Sequence, residues 1–263
     1  MARTHNWGVC MADEKRFAVL IDADNVSEKY IKFILDEISN DGVATIKRIY
    51  GDWTKPTMSS WKTVLLDYSI TPIQQYGYTT GKNATDSAMI IDAMDILYAG
   101  NIEGFCIVSS DSDFTRLASR LRESGMYVVG MGEKKTPNAF IAACNKFKYL
   151  EILAQAPNLS DSQNSSDAAE VGEMDHTSLN EVRNTIRTIV EETSDDDGWA
   201  ALGDVGNILN KRYPDFDVRN YGFKKLTPFI NSLKVFEIRC SRSKDGNVRL
   251  IFVREKGRRN SKA

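Results

Sequence analysis

Residues 17–21, Phe-Ala-Val-Leu-Ile, make a short continuous apolar run, and the stretch 26–39 behind it sets Ile31, Ile34, Leu35 and Ile38 at helical spacing. A strand followed by a helix is the reading. The same succession recurs down the chain. Strands are predicted over 43–50, 70–75, 105–109 and 127–131, and helices over 58–68, 86–98 and 114–122; a short helix at 138–144 leads into the apolar run 147–153. Alternation of this length predicts an α/β fold whose central parallel sheet is covered by helices on both faces.

Residues 154–177 break the pattern. They are rich in Ala, Ser, Asn and Gln, and carry Asp161, Asp167, Glu170, Glu173 and Asp175 with no basic side chain. Such a segment buries too little apolar area to offset its ordering entropy, so it reads as a flexible acidic linker that lets its two flanks search independently. Beyond it, three amphipathic stretches follow, marked by Leu179, Val182, Ile186, Ile189 and Val190, then Leu202, Val205, Ile208 and Leu209, then Leu226, Phe229, Ile230 and Leu233. Two strands, 235–240 and 248–253, are joined by a turn containing Asp245-Gly246. Three helices and a hairpin predict a small winged-helix domain. The organisation expected is therefore an extension at 1–16, an α/β domain at 17–153, the linker, a second domain at 178–255 and a basic tail at 256–263.

Composition narrows the class. Hydrophobic residues make up 42% of the 263 and charged residues 27%, as in ordinary globular proteins. Nothing approaches the roughly 20 uninterrupted apolar residues of a membrane span. Where a secretion signal needs an apolar run, the chain has His5, Asp13, Glu14, Lys15 and Arg16. A cytoplasmic protein without a membrane partner is the expectation, with Met11 an alternative start. Charge is uneven: residues 178–263 hold 17 Lys and Arg against 12 Asp and Glu, whereas residues 1–177 hold 17 against 24. A basic C-terminal part points to a polyanionic partner. Cys10, Cys106, Cys144 and Cys240 are too dispersed for a zinc site or redox dithiol. His5 and His176 fall in unpatterned regions, so any chemistry leans on carboxylates.

In open α/β sheets, ligands bind beyond the carboxyl ends of the strands, where the strand order reverses. The first strand exits into Asp22-Ala-Asp24-Asn25, and a later one into Ser109-Ser-Asp111-Ser-Asp113-Phe114. Between them, Gly81-Lys82-Asn83-Ala84-Thr85-Asp86 opens a helix with Asp86 in its first turn. Asp22, Asp86, Asp111 and Asp113 are thus expected at one edge of the sheet. Carboxylates gathered without cations repel one another, and a divalent ion is the economical neutraliser. Oxygen ligands without His or Cys suit Mg²⁺ or Mn²⁺, and such a site supports in-line phosphoryl displacement. Each acid also has a plainer explanation. Asp24, and Asp111 or Ser112, fit helix N-caps; Asp86 complements a helix dipole; Asn25 fits a self-cap or a ligand-orienting amide. Lys82 is either solvated or a phosphate partner. Asp92 lies about 240° round the helix from Asp86, which makes it, like Asp95, a supporting or surface residue.

The run Leu20-Ile-Asp22-Ala-Asp-Asn25, the Lys82-x-x-x-Asp86 helix start and Ser109-x-Asp111-x-Asp113-Phe114 together resemble the NYN domain of the LabA/DUF88 type, a branch of the PIN-like nuclease superfamily, over residues 17–153. Residues 182–254, with Tyr221-Gly-Phe223-Lys224-Lys225-Leu226 ahead of the hairpin, are similar to the OST-HTH/LOTUS domain. The first resemblance implies a Rossmann-like, metal-dependent ribonuclease domain with catalytic carboxylates at Asp22, Asp86, Asp111 and Asp113. Asn25 and Ser109 occupy positions of polar support, and Ser110 stands where many relatives have glycine. The second implies binding of RNA, commonly structured or G-rich, or of protein. Dimerisation through the NYN domain is implied by analogy. From charge alone, Arg219, Lys224, Lys225, Arg239, Arg242, Lys244 and Arg249 are candidates for phosphate contact. Tyr221 and Phe223 are either base-stacking groups or core.

Three functions compete. The first is an endoribonuclease whose C-terminal domain recruits RNA. The second is a haloacid-dehalogenase-like phosphatase, in which Asp22 of the Asp22-Ala-Asp24 pair would be the nucleophile. The third is an RNA-binding or scaffold protein without turnover.

Overall fold

The computed structural model describes residues 14–76, 84–155, 178–242 and 249–257. A six-stranded sheet organises the N-terminal domain. Its strands are β1 (Arg16–Asp22), β2 (Val43–Gly51), β3 (Thr71–Gln74), β4 (Gly104–Val108), β5 (Tyr127–Gly132) and β6 (Lys146–Tyr149). The spatial order is β3-β2-β1-β4-β5-β6, with every neighbouring pair parallel. The continuous apolar character of β1 follows from its central place, because a parallel strand covered on both faces has no polar side.

Side chains of β1 and β4 alternate between two cores, as a period of two requires. Ala18, Leu20, Phe105 and Ile107 face α3 (Ala84–Ala99), α4 (Thr115–Glu123) and α5 (Asn138–Ala143). Phe17, Val19, Ile21, Cys106 and Val108 face α1 (Ile31–Ile38), α2 (Trp61–Asp67) and α6 (Leu150–Gln155). The expected parallel sheet with helices on both faces is therefore present. After β3 the chain returns through α3 to the far side of β1, so the strand order reverses between β1 and β4. Beyond the carboxyl ends of these two strands is the position at which such sheets take ligands.

Boundaries differ from expectation at several elements, among them the following two. The helix predicted over 26–39 begins as a 3-10 turn, Glu28–Tyr30, before α1. The run 147–153 splits into β6 and α6, because Phe147 and Tyr149 pack in one core while Leu150 and Leu153 pack in the other.

The C-terminal domain has its own core around Val182, Ile186, Val205, Leu209, Phe229 and Val253. It contains α7 (Leu179–Thr193), α8 (Leu202–Arg212) and α9 (Leu226–Ser232), with β8 (Phe236–Arg242) antiparallel to β9 (Arg249–Glu255). The three helices and two strands appear in the expected order. A two-residue strand β7 (Ala200–Ala201) also pairs with β9, giving the sheet order β7-β9-β8. The Asp245-Gly246 turn, the basic tail from 258 onward, linker residues 156–177 and residues 1–13 of the extension lie outside the described residues. The two domains touch: the backbone N–H of Phe147 in β6 donates to the Pro214 carbonyl at 2.7 Å. Domains searching independently, as the linker composition implied, do not describe this contact. No helix among the described residues is long and apolar enough to cross a membrane.

Candidate active site

Asp22 ends β1 and is fully buried. Its carboxylate accepts from the Asp24 backbone N–H (3.1 Å), the Asn25 amide (2.7 Å) and the Ser109 hydroxyl (2.9 Å). Burial is the dominant influence and pushes the Asp22 carboxyl up, against the lowering effect of these three donors. Ser109, just past β4, in turn accepts from the Asp111 backbone N–H at 3.1 Å. The Asp111 carboxylate then accepts from the Asp113 N–H at 3.0 Å. One hydrogen-bonded chain thus ties the exit of β1 to the exit of β4. The capping explanation for Asp111 holds together with the site explanation, since only one of its oxygens caps the 3-10 turn Ser112–Phe114.

Asp86 enters from the first turn of α3. Carboxylate oxygens of Asp86, Asp111 and Asp113 all lie within 4.8 Å of one another. Oxygens bound to one Mg²⁺ ion at 2.0–2.1 Å lie at most roughly 4 Å apart, so the three acids are close enough for small side-chain shifts to let them share an ion. Partial burial, followed by the charges of Asp22, Asp111, Asp113 and Asp24, pushes the Asp86 carboxyl up to about 6. This charge imbalance and the all-oxygen donor set both fit a hard divalent cation.

Asp22 stands outside this triad. Expected as a fourth ligand, it is not one of these three, though its charge is the first-named of those acting on Asp86; its carboxylate accepts from three donors, with Asn25 and Ser109 as its side-chain partners. Asp24 lies at the rim, where it accepts from the Thr85 hydroxyl at 3.1 Å and pairs with Lys55 at 3.6 Å. Lys82 lies outside the described residues. Asp92 binds Arg48 and the Tyr50 hydroxyl on the sheet, and Asp95 is exposed, as their helical phase required.

Two contributors escaped the sequence reading. Ser110, the departure from glycine, is buried and accepts from the Glu133 N–H at 2.8 Å, fastening the β4 exit to the β5 exit. Thr85 fixes Asp24; its place directly before Asp86 was the available signal.

The candidate RNA contacts are redistributed. Arg219 is committed elsewhere: its guanidinium donates to both Glu37 oxygens (2.9 and 3.0 Å) and to Asp217 (2.7 Å), which removes it from a phosphate-contacting set. Tyr221 packs against Phe229 and Phe216 with ring centroids 5.1 and 6.1 Å away, and Phe223 against Phe229 at 5.6 Å. Both aromatics, partly buried, pack against the core, the reading weighed in the sequence against RNA stacking for Tyr221. Lys224, Lys225, Arg239, Arg242 and Arg249 are exposed, and Lys244 lies outside the described residues.

Among known families, the NYN domain family matches residues 16–151. The chain belongs to the NYN family. Its acidic triad and Asp22 all fall inside the NYN domain, a domain of nuclease-type hydrolases. Residues 177–248 match the OST-HTH/LOTUS domain, an RNA-binding module. Among solved structures, a protein of unknown function from Vibrio parahaemolyticus RIMD 2210633 is similar at 17% identity, with a TM-score of 0.42, covering 51% of this chain and 91% of its own. An uncharacterized protein from Nitrosomonas europaea is similar at 31% identity, with a TM-score of 0.30, covering 38% and 94%. A segment (175–257) of a Chromobacterium violaceum protein is similar at 28% identity, with a TM-score of 0.26, covering 33% and 92%. Curated proteins give no match.

Proposed function

We propose that this NYN protein is a metal-dependent endoribonuclease that hydrolyses RNA phosphodiester bonds and uses its OST-HTH/LOTUS domain to hold the RNA. The supporting observation is the convergence of Asp86, Asp111 and Asp113 within 4.8 Å. When bound there, Mg²⁺ or Mn²⁺ supplies charge neutralisation and an activated water for displacement at phosphorus. The chain's own residues fix the donors. Asp22 orients Ser109, Ser109 holds the Asp111 backbone, and Asp111 holds that of Asp113. Exposed Lys224, Lys225 and Arg242 provide cationic contacts for the RNA backbone.

The phosphatase alternative needs Asp22 as an accessible nucleophile. Its complete burial and three donors weigh against that role. The test is cleavage of single-stranded RNA by purified protein with Mn²⁺ or Mg²⁺. Asp111→Asn is expected to abolish cleavage while RNA binding and the fold persist. Equal turnover by the variant refutes the assignment, and retained RNA affinity without turnover in the wild type favours a binding or scaffold protein.

A further inference from the structure

The edge of the catalytic sheet is occupied. Strand β6 would leave its outer backbone groups unpaired, a liability in any sheet. Here the Phe147 N–H donates to the Pro214 carbonyl at 2.7 Å, and the Tyr149 hydroxyl donates to Asp215 at 3.3 Å. Around these contacts lies a cluster of three cations and three anions drawn from both domains. Lys146, Lys148, Glu37 and Asp41 come from the NYN side, Asp217 and Arg219 from the OST-HTH/LOTUS side. Arg219 grips Glu37 in bidentate fashion while also holding Asp217. Lys148 donates to Asp217 and lies 3.8 Å from Glu37, and Lys146 binds Asp41 at 2.7 Å. Glu37 and Lys148 are each only 7% exposed.

Such a cluster is costly to assemble unless every charge finds a partner, and these do, Arg219–Glu37 and Lys148–Asp217 across the domain boundary and Lys146–Asp41 beside them within the NYN domain. The NYN patch alone is electrically neutral and so is the Asp217–Arg219 pair, so docking strands no charge. A loosely tethered module would show exposed, screened pairs instead. The seat is also part of the catalytic framework. In the order β1-β4-β5-β6, β6 lies two strands from β4, about 10 Å at the usual strand spacing. Tyr149, which contacts Asp215, ends β6 at the same sheet end that carries the acidic triad.

We propose that this contact is the permanent seat of the OST-HTH/LOTUS domain and that it sets where RNA is cut, by holding the bound strand at one fixed offset from Asp86, Asp111 and Asp113. The seat stands on the contacts alone; the offset rests on the ribonuclease reading above.

The two-domain chain carrying spin labels at Cys240 and at Lys62→Cys, with Cys10→Ser, reports the interdomain distance. A 5′-labelled RNA bearing one stem-loop and a long uridine tract reports the cut position in Mn²⁺. Wild type is expected to give one narrow distance and one dominant cut. Arg219→Gln and Glu37→Gln, which remove charge from opposite sides of the seat, should each broaden the distance and scatter the cuts, with both domains still folded by circular dichroism. A broad distance in wild type overturns the seat. A narrow distance with scattered cuts overturns the offset. Absence of cleavage overturns the ribonuclease reading and with it the offset, while the distances still decide the seat.

Discussion

Asp86 and Asp22 show how neighbours assign different work to the same side chain. Asp22 is buried, and its three donors only partly offset the rise that burial imposes on its carboxyl. Asp86 sits among like charges, and its carboxyl rises to about 6. A carboxyl whose folded pKa exceeds its unfolded value of about 3.9 weakens the fold as pH climbs between the two, and the full penalty is present above the higher one. Asp86→Asn removes that penalty. In chelator, the variant should therefore melt above wild type at neutral pH, and the two should converge below about pH 4, where Asp86 is protonated in both states. Saturating Mn²⁺ should reverse the order, because only wild type gains full stabilisation from ligand binding. Calorimetric melts across pH, with chelator and with Mn²⁺, check this; a variant that melts below wild type in chelator at neutral pH refutes the electrostatic account. The acids themselves were readable because each leaves a strand or opens a helix. The donors that reach Asp22 were not, since one of them, Ser109, lies 87 residues away.

Strands and helices were readable where burial is two-sided or periodic, which is why β1, β4 and β5 stood out. The run 147–153 resisted because an apolar stretch has no period that distinguishes a strand end from a helix start. What local pattern cannot show is how tightly neighbouring strands close at the site. Gly132 ends β5, and a Cβ there would lie 2.5 Å from the Thr136 hydroxyl and 2.6 Å from the Ser109 carbonyl oxygen. Gly104 begins β4, and a Cβ there would meet the Phe17 ring at 2.5 Å and the Tyr127 carbonyl at 2.8 Å. Either alanine overpacks the sheet, at a cost of about 1–3 kcal/mol. Only Gly132→Ala presses on Ser109, which holds both Asp22 and Asp111. We expect similar losses of stability in denaturant titrations of the two variants, with weakened Mn²⁺ binding confined to Gly132→Ala. Equal Mn²⁺ affinity in both would show that the β5 exit does not position the triad.

The linker composition predicted two bodies moving freely, and the separate cores agree with two folding units, yet Arg219 meets a carboxylate 182 positions away. No local pattern encodes such a partner, so a residue that looked like a phosphate contact belongs to the domain seat. Its chemistry makes a prediction about solution conditions. At Glu37, burial opposes the charge, but Arg219, Lys148 and Lys146 outweigh it and hold the carboxyl below its usual range. At Asp217, burial is likewise outweighed by Arg219 and Lys148, and the carboxyl is driven far down. Depressed carboxyl pKa values contribute stability that is complete above the ordinary carboxyl range and is lost as pH falls through the folded values. Salt screens exposed charges within about 10 Å at 0.1 M but acts much less on buried pairs. The radius of gyration from small-angle scattering should therefore stay constant at neutral pH as salt rises toward molar concentrations, and increase only as pH falls below about 4. Expansion in salt at neutral pH would mean that the cluster is solvated and that the two domains part freely.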